Sequence, residues 1–418
     1  MKLLHTSDWH LGRSTYGHSR ASDHEAVLAE ITEIAATTRP DVILNSGDLF
    51  DQQRPPLHAL RLATRALNDL AAIAPVVVVC GNHDSAAYLK WLHEILNRSA
   101  PIYLVTSRDD HAGEVLRFRV GDHTLHIAAL PFISANRIVD VFDDPTQRRS
   151  SYADHIAGLQ EQLMRELADG FDASRDVSVF AAHQFVAGAL PSRTEHHTDE
   201  QYVTDPQQVP EVTYAAFGHI HQPQCLPATR VTGRYAGSPL QLDFGEAGED
   251  KSLVMVNLHP GQPAAVEQIP LTRGRRLRYI TGTLDEIGAM AAEVGTDICR
   301  VTVNSETHID NLAGKVRELL PDATIVHLKP NPADRKLDLL TPVTAAADVD
   351  TTTMFGDYLA TRGVDGVSAD QVLQLFSMLL PYGGEPDPPE LPQEQLLVDD
   401  PETAFPLPAA SMIFGGVA

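Results

Sequence analysis

The feature that most constrains this chain is a recurrence. Five short apolar runs each break off into Asp, His or Asn. Leu3-Leu4 leads to Asp8-Trp9-His10, Val42-Ile43-Leu44 to Gly47-Asp48, and Val76 to Val79 to Gly81-Asn82-His83-Asp84. Val177 to Ala182 runs into His183-Gln184, and Tyr214 to Phe217 into Gly218-His219-Ile220-His221. Between the runs the apolar spacing turns helical, as in Val27, Leu28, Ile31, Ile34 and Ala35, in Leu57, Leu60, Leu67 and Leu70 after Pro55-Pro56, and in Ile156, Leu159, Leu163 and Leu167. Strands alternating with helices predict a layered α/β domain, ending near residue 270. In open α/β sheets ligands gather at the carboxyl ends of strands, so one pattern points to both the fold and the site.

The residue types suit phosphoester hydrolysis. That reaction must bring a hydroxide to phosphorus and neutralise the equatorial oxygens, and two cations about 3.5–4 Å apart can do both. A bridging carboxylate suits Asp48, and Asn82 adds a neutral oxygen. Side chains at i and i+2 share one side of an extended backbone, so His219 and His221 can serve neighbouring metals, as can Asp8 and His10. Glycines before Asp48, Asn82 and His219 allow tight turns. Any one motif alone reads as capping and turn polarity; five in series do not.

Charge and cysteine usage narrow the class. A net charge of −24 argues against holding nucleic acid on a broad basic surface, but not against a nuclease whose cations meet the phosphates. No run of about 18 uncharged apolar residues predicts a membrane span, and the N-terminus carries no secretory signal pattern. Cys80, Cys225 and Cys299 are odd in number and widely spaced, as for buried or half-buried thiols in a reducing cytoplasm.

Beyond residue 270 the pattern restarts. Arg273-Gly274-Arg275-Arg276 reads either as a phosphate contact or as a solvated interdomain strand. Strands at Leu277 to Ile280, Ile298 to Val303 and Ala323 to Leu328 alternate with helices at Leu284 to Ala292 and Leu312 to Leu320, a small α/β domain over 271–345 left by a polar link, Lys329 to Asp334. Residues 350–382 hold two short apolar helices that need something to dock on, and 383–418 read as a Pro-rich disordered tail. Trp9 reads as packing beside the metal loop, and His196-His197 as a solvated loop.

Thr6-Ser7-Asp8-Trp9-His10-Leu11-Gly12, Gly47-Asp48-Leu49-Phe50-Asp51, Gly81-Asn82-His83-Asp84 and Tyr235-Ala236-Gly237-Ser238-Pro239-Leu240, with Lys251-Ser252, resemble the calcineurin-like metallophosphoesterase superfamily. Within it they are most similar to the nuclease subunits of bacterial double-strand-break-processing complexes. The resemblance spans about residues 1–380. It implies a four-layer α/β/β/α sandwich nuclease domain (1–270), an α/β capping domain (271–345) and a C-terminal helical pair that binds an SMC-like ATPase, SbcC. It implies Asp8, His10 and His221 on one metal, Asn82, His183 and His219 on the other, and Asp48 bridging. His83 would protonate the leaving oxygen, Asp51 would orient His83, and Asp84 would hold the loop. The cofactor implied is two Mn²⁺ in preference to Mg²⁺. The partners implied are double-stranded DNA ends and hairpins, a homodimer, and a heterotetramer with two SbcC chains. The implied activity is ATP-dependent 3'-5' exonuclease action on duplex ends and endonuclease action on single strands and hairpins, in a cytoplasmic, nucleoid-associated protein. The stretch after His183 departs from the family's Ser-Glu-Arg pattern. Alternative readings are a small phosphodiesterase or protein phosphatase of the same fold, a non-enzymatic scaffold, and a subunit that mainly tethers DNA.

Overall fold

Alternation along fully buried strands decides the layering. Leu3 faces one way and Leu4 the other, and Val77 and Val79 part from Val76 and Val78 in the same manner. Strands buried on both faces read as continuous apolar runs, which is why Val76–Val79 is four valines. The computed structural model describes residues 1–96, 100–106, 113–134, 145–192, 202–305, 309–332, 351–361 and 372–377. His196-His197 and the tail at 383–418 lie outside the described residues.

Two six-stranded sheets form the middle of the sandwich. In the first the order is Ala265–Pro270, Ser252–Asn257, Lys2–Thr6, Val42–Asn45, Val76–Val79 and Ile102–Val105. Its last four strands run parallel, and the other two add antiparallel pairings. In the second the order is Gln224–Cys225, Gly233–Tyr235, Tyr214–Gly218, Asp176–His183, His123–Leu130 and Glu114–Val120, with the central four parallel. Leu3, Val42, Leu44, Val77 and Val79 meet Leu125, Ile127, Val177, Val179 and Ala216 between the sheets. Outside the first sheet pack the helices Ala21–Thr38, Leu57–Ala71 and Ala86–Ile95; outside the second packs Pro145–Ala168, through Tyr152, Ile156, Leu163 and Leu167. The result is the α/β/β/α sandwich.

Local chemistry sets the helix ends. Pro56, extended at φ −68° and ψ 156°, starts the second helix. Arg39, left-handed at φ 49° and followed by Pro40, ends the first, with its N–H bonded to Ala35 O at 2.9 Å.

Residues 277–332 build a three-stranded parallel sheet with its own core of Ile280, Ile287, Val301, Val303 and Val316. Thr283 and Glu286 close a capping box on the helix Leu284–Ala289. The single helix expected over 284–292 is two, Leu284–Ala289 and Ala291–Val294, with Met290 between them. The expected polar link at Lys329 is strand as far as Pro332, because its residues pair with Thr302 to Ser305.

Arg273 and Arg276 are exposed and Arg275 is half-buried, and all three are paired with carboxylates. Arg275 grips Asp23 at 2.9 Å, Arg273 pairs with Glu33, and Arg276 with Asp250 at 2.6 Å. Buried Arg20 bonds Asp23, Gln241 O and Arg275 O. The stretch is a fastened joint between first helix and small sheet. Of the three thiols, Cys80 and Cys299 are buried, but Cys225 is exposed on a two-residue edge strand.

Contacts divide the chain into Met1–Ala333 and Asp334–Ala418. In the second unit a helix spans Thr351–Thr361 and another residues 372–377, with the Phe355 ring stacked on Phe376 at 4.2 Å. Among the described residues no helix is long and apolar enough to cross a membrane.

Candidate metal centre

All the recurrent motifs leave the carboxyl ends of central strands, three from the first sheet and two from the second, so face-to-face packing aims them at one place. The first two loops are zipped together: Asp8 N–H donates to Gly47 O at 2.9 Å and His10 N–H to Asp48 O at 3.0 Å. Asp8, His10, Asp48 and His219 all have positive φ, making up half of the eight non-glycine residues with that conformation among those described. Such strain, of order 1–3 kcal/mol each, persists where the surroundings over-determine it and collects at functional sites.

The three glycines differ in purpose. Only Gly47 uses its conformational freedom, at φ 122°. A Cβ on Gly81 would overlap Asp48, and one on Gly218 would overlap Ser7 and Ser46, so these two glycines serve close approach instead.

Two clusters result. In one, His10 Nε2 lies 3.1 Å from His221 Nε2, and ligand atoms of Asp8, His10 and His221 all lie within 4.8 Å of one another. In the other, Asn82 Oδ1 lies 2.8 Å from His183 Nε2 and 3.0 Å from His219 Nδ1. Asp48 sits between them, with Oδ2 3.5 Å from His10 Nε2 and 3.3 Å from His183 Nε2. One oxygen faces both clusters, while Oδ1 accepts the His83 N–H at 2.9 Å. Three imidazole Nε2 atoms and His219 Nδ1 thus converge with carboxylate and amide oxygens, a donor set that suits cations. His183 Nδ1–H donates to Ser46 O at 3.0 Å, which reserves the Nε2 lone pair for the centre.

Electrostatics agree. Burial raises the Asp8 carboxyl above its ordinary value. Asp48 is as deeply buried, but His183 and His10 outweigh burial and hold it well below the carboxylate range. Burial works against a charge on His183, yet Asp48 and Asp8 push it up to about 9.

Around the clusters, His83 Nδ1 bonds the main-chain carbonyl of Asp51 at 2.8 Å. The Asp51 carboxylate turns instead to His10 Nδ1 at 3.4 Å and Arg13 at 3.2 Å. Asp84 accepts from the N–H groups of Leu49, Phe50 and Gly81 and pins two loops together. Burial, then the nearby Asp48, pushes its carboxyl up to about 6. Trp9 is buried, with Nε1 donating to Thr6 Oγ1 at 2.9 Å.

The motif reading missed two groups. Glu246 Oε1 accepts from His221 Nδ1 at 3.0 Å, from a turn with no His or Gly-Asp signature. Ser46 and His5 lie beneath His183, with His5 bridging Ser46 Oγ and Tyr214 OH. The stretch Tyr235–Leu240 acts as a brace: Tyr235 OH donates to Gln184 O and accepts the Val186 N–H, fixing the chain after His183.

Residues 1–223 match the family model described as calcineurin-like phosphoesterase. Fold, motif order and paired clusters define the class, a metal-dependent phosphoesterase. The SbcD subunit of the SbcCD nuclease of Bacillus subtilis (strain 168) is 32% identical over 290 residues, which cover 66% of this chain and 71% of that one. The protein of the same name from Escherichia coli (strain K12) is 30% identical over 301 residues, covering 69% of this chain and 73% of its own. The chain belongs to the calcineurin-like phosphoesterases and, within them, to the SbcD family of nuclease subunits. A dimetal phosphatase from Danio rerio of known structure is 10% identical, with TM-score 0.35, and covers 66% of this chain and 98% of its own; so distant a likeness adds nothing to the assignment.

Proposed function

We propose that this chain is the nuclease subunit of a two-component enzyme that processes DNA ends, partnered by an SMC-like ATPase of the SbcC type. The observation that carries the reading is the meeting of seven side chains, from loops more than two hundred residues apart, as two ligand clusters about one buried carboxylate. Asp8, His10 and His221 would hold one cation, and Asn82, His183 and His219 the other, with Asp48 shared. Two imidazoles in each cluster favour Mn²⁺ over Mg²⁺.

Bound there, the cations would supply an activated water and neutralise charge on the scissile phosphate. The chain's own groups do the rest. With Nδ1–H held by Asp51 O, the His83 Nε2 is left to deliver a proton to the departing sugar oxygen. The backbone N–H of His83, bonded to Asp48, ties that imidazole to the shared carboxylate. Asp51 holds His83 through its carbonyl and His10 through its carboxylate. The substrates are duplex ends, degraded 3'-5' with ATP, and single strands and hairpins, cut internally. The small sheet at 277–332 caps the site, the helices at 351–377 dock on the ATPase, and helices of the nuclease domain pair two copies into a heterotetramer with two SbcC chains.

The test is reconstitution. The chain, alone and with an SMC-like ATPase, is given Mn²⁺ and a blunt linear duplex, a hairpin, bis-p-nitrophenyl phosphate or a phosphopeptide. Digestion of the duplex that rises with ATPase and ATP supports the proposal. Turnover confined to the small diester or the phosphopeptide would assign the site to another phosphoesterase. End binding that survives a His83 change, in a protein that never cleaved, would make it a tether.

A further inference from the structure

We propose that Glu246 is a positioning residue that aims His221 at its cation, and that the small α/β layer keeps Glu246 in place through Phe244. This rests on the metal-pair reading above. Glu246 is fully buried, and its two carboxylate oxygens are divided between tasks. Oε1 takes the His221 Nδ1–H at 3.0 Å, which sets the tautomer and leaves Nε2 toward His10. Oε2 is held by Lys251 Nζ at 2.7 Å, Leu242 N at 3.2 Å and Ser238 Oγ at 3.3 Å. Lys251 Nζ also donates to His221 O at 3.0 Å, so both ends of that residue hang on one polar knot.

A carboxylate behind a metal-facing imidazole raises its basicity and locks its ring orientation. A carboxylate without such a task would be a costly thing to bury, even with a lysine beside it.

The knot stands on the turn Phe244–Glu246, and that turn meets the small sheet. Phe244 is buried against Leu277 and Ile298. Its ring lies edge-on to Tyr16 at 5.4 Å and to Tyr279 at 5.3 Å, and the Arg300 guanidinium lies over all three rings. Phe244 and Glu246 are two residues apart, so a shift of the small sheet against this seam moves the partner of His221 directly.

The test is Mn²⁺ titration calorimetry on the full chain, with melting of the metal-free protein measured alongside. Wild type should bind two ions. Glu246→Gln should weaken one site about 10- to 100-fold and leave the other unchanged. It should also lose the downfield, hydrogen-bonded Nδ1–H resonance of His221. Lys251→Met added to Glu246→Gln removes the lysine left without its partner; it should recover the melting temperature without recovering the weakened site. Phe244→Ala, or Tyr279→Ala if the first melts too low to assay, should weaken the same site about 2- to 30-fold. Two undiminished sites in Glu246→Gln overturn the positioning role. So does a double variant that regains both fold and affinity, since the effect was then only structural. Undiminished binding in the seam variants overturns the part played by the small layer. A wild type that binds no Mn²⁺ refutes the metal-pair reading instead, which separates the two failures.

Discussion

Replacing Gly81 by alanine probes the centre while leaving every ligand in the chain. A Cβ at Gly81 would overlap Asp48 Oδ1 and the Asp48 nitrogen and would lie 2.8 Å from its Cγ. Carbon atoms settle about 3.5–4.0 Å apart, so the Asp48 carboxylate and the Asn82 loop must separate by roughly 1 Å. Asp48 faces both clusters, so both feel the displacement. A misplacement of that size costs on the order of 10²-fold in turnover, or ~2.7 kcal/mol of barrier. The Gly81 backbone lies outside the left-handed region, so the strain comes from the overlap with the Asp48 carboxylate and backbone nitrogen, and melting is measured beside activity. The matched control is Gly158→Ala, on the helix Pro145–Ala168, where an added Cβ meets nothing within 4 Å. It should keep metal binding and turnover and gain up to ~1 kcal/mol of stability. The assays are Mn²⁺ titration calorimetry, hydrolysis of bis-p-nitrophenyl phosphate and far-UV circular dichroism. A folded Gly81→Ala protein with wild-type Mn²⁺ affinity and turnover would refute the shared role of Asp48.

Further predictions concern chemistry, packing and pH. His83→Asn should keep both metals, by calorimetry, while hydrolysis falls by about 10²–10⁴-fold; loss of metal would make His83 a ligand instead. Arg20→Met removes the 2.6 Å bond to Asp23 and strands the carbonyls of Gln241 and Arg275, while Asp23 keeps Arg275; it should cost about 1–3 kcal/mol in urea unfolding. His24 is buried on the first helix, and burial, then Arg20, pushes it down to about 4. The unfolded chain takes up this proton near pH 6.5 and the folded chain does not. Stability is therefore complete above pH 6.5 and declines as pH falls toward 4, by ~3 kcal/mol for this residue. His5, pushed down to about 3 by burial and then Arg234, steepens the same decline. His24→Leu should flatten the curve of urea midpoint against pH; an unchanged slope would clear His24 of the effect.

The centre was legible along the chain because each ligand follows an apolar run, and a strand end is the cheapest place to present a side chain between two layers. Its supports were not legible. Glu246 sits in a short turn with no periodicity to mark it, and Ser46 serves His183 through a carbonyl that every residue has. Asp51 likewise orients His83 by its main chain, so residue type could not reveal the contact. The pairing of the basic run at 273–276 was not legible either, because the partners of Arg273 and Arg275 lie far off in sequence on the first helix.

What the sequence alone determined was period and residue type: apolar alternation that makes strands, 3.6-residue spacing that makes helices, and donors suited to cations at the strand ends. Which donors come together was decided only by the packing of one sheet on the other, since His10 and His221 stand 211 positions apart and yet lie 3.1 Å from each other. Local interactions are encoded within a turn or a strand, but the partner across a core is set by how whole layers close.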